Sequence, residues 1–174
     1  MPGYRRFKAA IFALLAVNAA AFVLFGRPTE AVDSIAWFTL LVLFELETAQ
    51  PQRLRGKRVA VLVHAGRLVA GVAVAIAAAG FFYEREWLDA INAALWIAVV
   101  VVLEIEVRFL DTVGRHRRVF AAVLGALYSG IAALALAWAW RGEWFDAYDA
   151  ALWLVAFVAI EINVLQIARG PEPA

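Results

Sequence analysis

The chain has 174 residues, 65% of them hydrophobic and 18% charged, with a net charge of +1 and a mean hydropathy of +0.78. A soluble domain is usually about half apolar and about a quarter charged, so this composition describes an integral membrane protein. The near-neutral balance lacks the basic stripe that nucleic acid would need, and with no cysteine there is no disulfide, thiolate metal site or cysteine nucleophile.

Six apolar stretches, at 7–25, 31–48, 59–82, 87–110, 119–140 and 144–167, approach the ~20 residues that cross a ~30 Å hydrocarbon core. The first follows the basic start "YRRFK" and contains the small residues "AVNAAAF", as a signal peptide would. Its apolar run exceeds the ~7–15 residues of a signal core, and it forms the natural first half of a hairpin, so a retained helix is expected. Asn18 lies near its middle.

After the short connection "RPTE", the second stretch opens on Glu30, carries Asp33 and Trp37, and closes on Glu45 and Glu47. The connection "PQRLRGKR" that follows is basic, with Arg53, Arg55, Lys57 and Arg58. The third stretch holds His64 and Arg67, three residues apart and so on one helix face. Arg67 lies ~15 Å inward from Lys57, where an arginine costs ~2.5–3.5 kcal/mol on insertion scales. It is expected to pair with one or two of Glu45, Glu104 and Glu161. His64 is either a satisfied interior residue or a metal ligand or proton carrier beside the carboxylates; the metal itself is unspecified.

The connection "YEREWLD" leads into the fourth stretch, with Asp89, Asn92, Trp96, Glu104 and Glu106. A second basic connection carries Arg108, Arg115, Arg117 and Arg118 against one acid, Asp111, and its His116 is expected to face solvent or headgroups. The fifth stretch places Tyr128 and Ser129 near mid-membrane. Gly66 with Ala70, Gly125 with Ser129, and Ala133 with Ala137 are spaced as small-xxx-small helix contacts require. After "RGEWFD", the sixth stretch carries Asp146, Asp149, Trp153, Glu161 and Asn163.

Aligned on tryptophan, the even stretches "EAVDSIAWFTLLVLFELE", "DAINAALWIAVVVVLEIE" and "DAYDAALWLVAFVAIEIN" match without a gap. Trp37, Trp96 and Trp153 are 59 and 57 residues apart, so one helical hairpin is used three times. The expected fold is an all-α integral membrane protein: six transmembrane helices arranged as three repeated helical hairpins, approximately 1–50, 57–110 and 117–169, in a single transmembrane domain 1–174. The 35–39 segment "IAWFT" resembles the second helix of voltage-sensor domains over five residues. No helix carries a sensor's periodic arginines, so no property follows. The triplication resembles mitochondrial carriers in outline, without their proline–acid signature.

On each even helix the outer acid, the Asp or Asn, the tryptophan and the first inner glutamate fall within an arc of about 120°. Such a polar stripe normally faces a bundle interior, a cavity or a partner, and the three stripes are expected to converge. Glu30, Asp89 and Asp146 sit in first turns, where free N–H groups and the dipole favour acids; Asp33, Asn92 and Asp149 lie a turn deeper, capping or hydrated. The inner glutamates, ~22 Å along the helix, lie still within the core and near the end whose dipole disfavours them. Ion pairs with basic residues, or a site that binds or relays a cation, would compensate.

The basic connections place the N-terminus, both basic loops and the C-terminus in the cytoplasm of a cell inner membrane. Phe81, Phe82, Tyr83, Trp87, Trp138, Trp140, Trp144 and Phe145 then form an outer aromatic belt. His64, His116, Ser34 and Ser129 leave little for enzyme chemistry, and no enzyme is expected. The leading reading is a cation or proton transporter or channel element using Glu45, Glu47, Glu104, Glu106, Glu161, Asn163, His64 and Arg67. The alternative is a structural or accessory subunit whose carboxylates and Arg67 are internal fasteners. Expected partners are the bilayer, cations or protons, and further copies or other membrane subunits; no cofactor is specified.

Overall fold

The computed structural model describes residues 2–49 and 56–169, with side chains at 6–47, 56, 58–106, 108–109 and 113–158. All the elements in it are helices: α1 (Pro2–Phe25), α2 (Pro28–Ala49), α3 (Lys57–Tyr83), α4 (Trp87–Arg108), α5 (Leu110–Arg115), α6 (Arg117–Arg141) and α7 (Trp144–Arg169). Four segments are long and apolar enough to cross a membrane: Arg6–Phe25, Arg58–Tyr83, Trp87–Glu106 and Arg117–Arg141. The protein is thus an all-α chain suited to membrane insertion. Six spans were expected. Helix α2 falls outside the four because Glu30, Asp33, Glu45 and Glu47 crowd its 22 residues, and the side chains of α7 are described only to Val158. The seventh helix, α5, was not foreseen; it is six residues long and sits within the second basic connection.

The chain forms two compact units, Ala13–Ala93 and a second comprising Met1–Phe12 with Ala94–Ala174. In the first, α2 packs against α3 across the basic connection. Glycines on α3 permit this. A Cβ built on Gly66 would lie 3.1 Å from Leu43 Cδ1, and one on Gly80 only 2.9 Å from Thr29 Cγ2. With lipid as apolar as the side chains, such close backbone approach supplies the packing force. Between them on the same helix, Ala70, Val74 and Ala77 are buried. Where α3 meets α4, Ala77, Phe81 and Ala93 form a small core with Ala78 and Ala90 beside it.

In the second unit α6 packs against α7. A Cβ on Gly130 would lie 3.1 Å from Leu95 Cδ1, so α6 also admits a leucine of α4. Leu124, Ile131 and Trp138 are the buried residues of α6, spaced by seven as a left-handed helix seam requires. Trp96 of α4 meets Trp153 and Phe157 of α7, with ring centroids 6.5 and 4.7 Å apart. Gly125 has nothing within 4 Å of a built Cβ, and the Ser129 hydroxyl donates to the Gly125 carbonyl oxygen of its own helix at 2.7 Å. A Cβ at Gly125 thus meets no neighbour, unlike one at Gly66.

The repeat offsets of 59 and 57 residues extend to the odd helices. Leu15, Val74 and Ile131 occupy one equivalent position and Phe22, Phe81 and Trp138 another, and all six are buried. The outer turns of the second and third repeats also match. Arg85 and Gly142, 57 residues apart, take φ of 63° and 81°. After Arg85, the Glu86 N–H donates to the Phe81 carbonyl at 3.0 Å and the Arg85 N–H to Phe82 at 3.2 Å. After Gly142, Glu143 donates to Trp138 at 2.9 Å and Gly142 to Ala139 at 3.1 Å. Both are Schellman closures, which place a left-handed residue just past the helix to satisfy its last carbonyls.

Candidate functional site

The polar residues collect at two levels. At the end that carries the α1–α2 and α3–α4 turns, Arg27, which with Gly26 joins α1 to α2, gathers four carboxylates. It caps α2 first: its N–H donates to Glu30 Oε2 at 2.8 Å and its Nε to Glu30 Oε1 at 2.7 Å. An acid three residues inside a helix, reaching back to the residue before it, is the second half of a capping box, and Pro28 at the first helical position needs no partner for a missing N–H. The same guanidinium bridges to the α3–α4 turn, 2.5 Å from Glu86 and 3.7 Å from Glu84, and to Asp89 of α4 at 3.2 Å. The Thr29 hydroxyl adds a hydrogen bond to Glu84.

Partial burial by itself lowers the pKa of Arg27. The hydrogen bond to Glu30 and the negative charges of Glu30, Glu86 and Asp89 more than reverse this, and the net shift is upward. The expected capping roles of Glu30 and Asp89 are therefore joined in one cluster. The sequence reading missed its organiser, because "RPTE" alone looks like an ordinary short loop. The available signal was the ratio: the two outer connections of this unit bring Glu30, Glu84, Glu86 and Asp89 against Arg27 and Arg85.

One turn inward, the Asn92 amide oxygen is buried without a hydrogen-bond partner. Asp33, at the equivalent position of α2, has interacting neighbours, and so do Asp149 and Asp146 in the second unit.

Toward the opposite end Arg67 of α3 pairs with Glu47 of α2, Nη1 to Oε2 at 2.8 Å, with the two side chains 39% and 28% exposed. The expected partners were Glu45, Glu104 and Glu161. The choice falls on Glu47 because α3 lies against α2, and Glu45 and Glu47 point ~200° apart around their helix. Glu104 is held within its own helix by Arg108, Nη2 to Oε1 at 2.5 Å. Glu45 and Glu106 also have interacting neighbours. The side chains of Glu161 and Asn163 lie outside the described residues. His64 is exposed on α3. Among the described residues no three His, Asp or Glu side chains are grouped to hold a metal ion.

The offset that aligns the tryptophans also aligns Lys8, Arg67 and Leu124 on the odd helices and Glu47, Glu106 and Asn163 on the even ones. Two repeats have both a base and an acid at these positions. The third has neither. The observed pair joins Arg67 of the second repeat to Glu47 of the first, so its counterpart one repeat on is Leu124 with Glu106, where the acid is kept and the base is not.

Comparison with protein-family models, with curated proteins and with solved structures gives no match to this chain.

Proposed function

We propose that this chain is a non-enzymatic, multi-pass protein of a cell inner membrane that serves as a structural or accessory subunit of a larger membrane assembly, its intramembrane charges acting as fasteners. The observation that carries this reading is the Arg67–Glu47 pair at 2.8 Å, which ties α3 to α2. Loop charge supports cytoplasmic N- and C-termini. Partners would be met within the bilayer or at the short connections: other membrane subunits or further copies of the chain.

A second reading, a cation or proton transport element, is favoured by one observation. At the outer level four carboxylates surround a single guanidinium, a negative excess that would draw cations toward the buried amide oxygen of Asn92. Purified protein in liposomes separates the two. Flux of any alkali cation or of protons above empty liposomes, lost in Asn92→Leu, would establish transport and displace the fastener reading; no flux for any cation tried leaves the fasteners.

A further inference from the structure

The apolar spans Trp87–Glu106 and Arg117–Arg141 end and begin on either side of a ten-residue connector. Both of its ends are tied to the membrane surface, so it cannot stand away from the headgroups. Its backbone is also fixed. Phe109 N–H donates to Ile105 at 2.9 Å, Val113 to Phe109 at 3.0 Å and His116 to Val113 at 3.1 Å, and the His116 carbonyl accepts from Val119 and Phe120 at 2.8 and 3.2 Å.

From this platform Arg115, His116, Arg117 and Arg118 all project as exposed side chains. Among the described side chains no carboxylate pairs with Arg115, Arg117 or Arg118, whereas Arg108 is occupied by Glu104. The first turn of α6 holds no acid, and its N-cap, His116, makes no side-chain capping bond. Guanidinium charge, free helix N–H groups and the positive dipole end thus coincide, and all three call for an anion. At the other end Phe109 is 57% exposed.

We propose that this connector binds the phosphate groups of anionic phospholipids, with Arg115, Arg117 and Arg118 holding headgroups and Phe109 entering the upper acyl layer. Arginine suits the task because its planar fork matches phosphate oxygens in pairs. The inference stands on membrane insertion of the flanking spans and is independent of whether the buried charges fasten or conduct. It also goes beyond loop charge as a topology signal, which acts during insertion and needs no bound lipid afterwards.

The test titrates the purified full chain, in neutral detergent, with phosphatidylglycerol or with phosphatidylcholine, reading bound lipid by native mass spectrometry and Tm. Each basic residue near an anionic surface contributes about fivefold in affinity. Wild type should bind and be stabilised by phosphatidylglycerol in preference to phosphatidylcholine, and R115Q/R117Q/R118Q should lose about a hundredfold of that affinity. R141Q, at the opposite end of α6, should behave as wild type. Equal response to both lipids, an unaltered triple variant, or the same Tm shift from inorganic phosphate alone would overturn the proposal. Should the triple variant fail to fold, R115Q and R117Q singly carry the test: about fivefold loss in each supports the proposal, and unchanged affinity in both overturns it.

Discussion

Arg27 lies among Glu30, Glu84, Glu86 and Asp89, tying the start of α2 to the α3–α4 turn. Its side chain is 38% exposed, so each ion pair is worth little by itself, but a network sharing one guanidinium exceeds isolated pairs. Arg27→Gln leaves four carboxylates to repel one another and removes half of the cap on α2. It should cost about 1–2 kcal/mol in denaturant unfolding of the detergent-solubilised protein, and Arg27→Lys should recover only part, because an ammonium lacks the fork. The raised pKa of Arg27 gives a definite sign: its contribution is complete below the unfolded-state value and lost only as pH rises through the still higher folded value. Its share of stability should stay flat from about pH 7 to 9; an Arg27-dependent loss inside that window, seen by comparing wild type with Arg27→Gln, would contradict the assignment. Arg85 offers an opposite test. It holds φ of 63° at the position where the third repeat has Gly142, and a non-glycine residue is strained there. Arg85→Gly should raise stability by about 0.5–1 kcal/mol, and Gly142→Ala should lower it, both measured as shifts in Tm.

Helix α3 shows what spacing can and cannot say at the level of an element. Gly66 and Ala70 are spaced for close contact, and α2 does approach there, with Leu43 Cδ1 3.1 Å from a Cβ at Gly66. Gly125 and Ser129 have the same spacing, yet a Cβ on Gly125 meets nothing within 4 Å. The motif marks a face able to receive a neighbour; which face receives one depends on the rest of the molecule. Gly80→Val should therefore destabilise by about 1–3 kcal/mol through overpacking against Thr29. Gly125→Ala should be neutral or stabilising by up to ~1 kcal/mol, since alanine favours a helix over glycine. Equal effects of the two substitutions on unfolding would refute the packing described here. Helix α5 was illegible for a related reason: six residues have too short a period to be told from a loop.

For the molecule as a whole, the tie between α2 and α3 can be tested by removing the Arg67–Glu47 pair. Arg67→Leu installs the residue found at Leu124, and Glu47→Asn the residue found at Asn163. Either change alone strands a charge between α2 and α3 and should cost about 2–4 kcal/mol, less than for a fully buried pair because both side chains are partly exposed. Together they should recover most of that loss, leaving a coupling energy of about 1–3 kcal/mol in a double-mutant cycle read by thermal unfolding. Simple additivity of the two costs would mean that the pair does not hold α3 to α2.

Suitability for membrane insertion was determined by the sequence alone, because apolar length and backbone self-satisfaction are properties of each helix by itself. So were the repeat and the cap at Glu30, since a capping box closes over three residues. The partners of the charges were decided by the tertiary structure. Whether Arg67 meets Glu45 or Glu47 turns on the rotation of α2 about its axis, and whether it meets α2 at all turns on the glycines of α3. Arg27 likewise became the centre of a cluster only when the turn at Glu84–Glu86 folded beside it. A periodic pattern fixes which residues share a face; it carries no information on which neighbour that face will meet, and the chemistry of a buried charge resides in the neighbour.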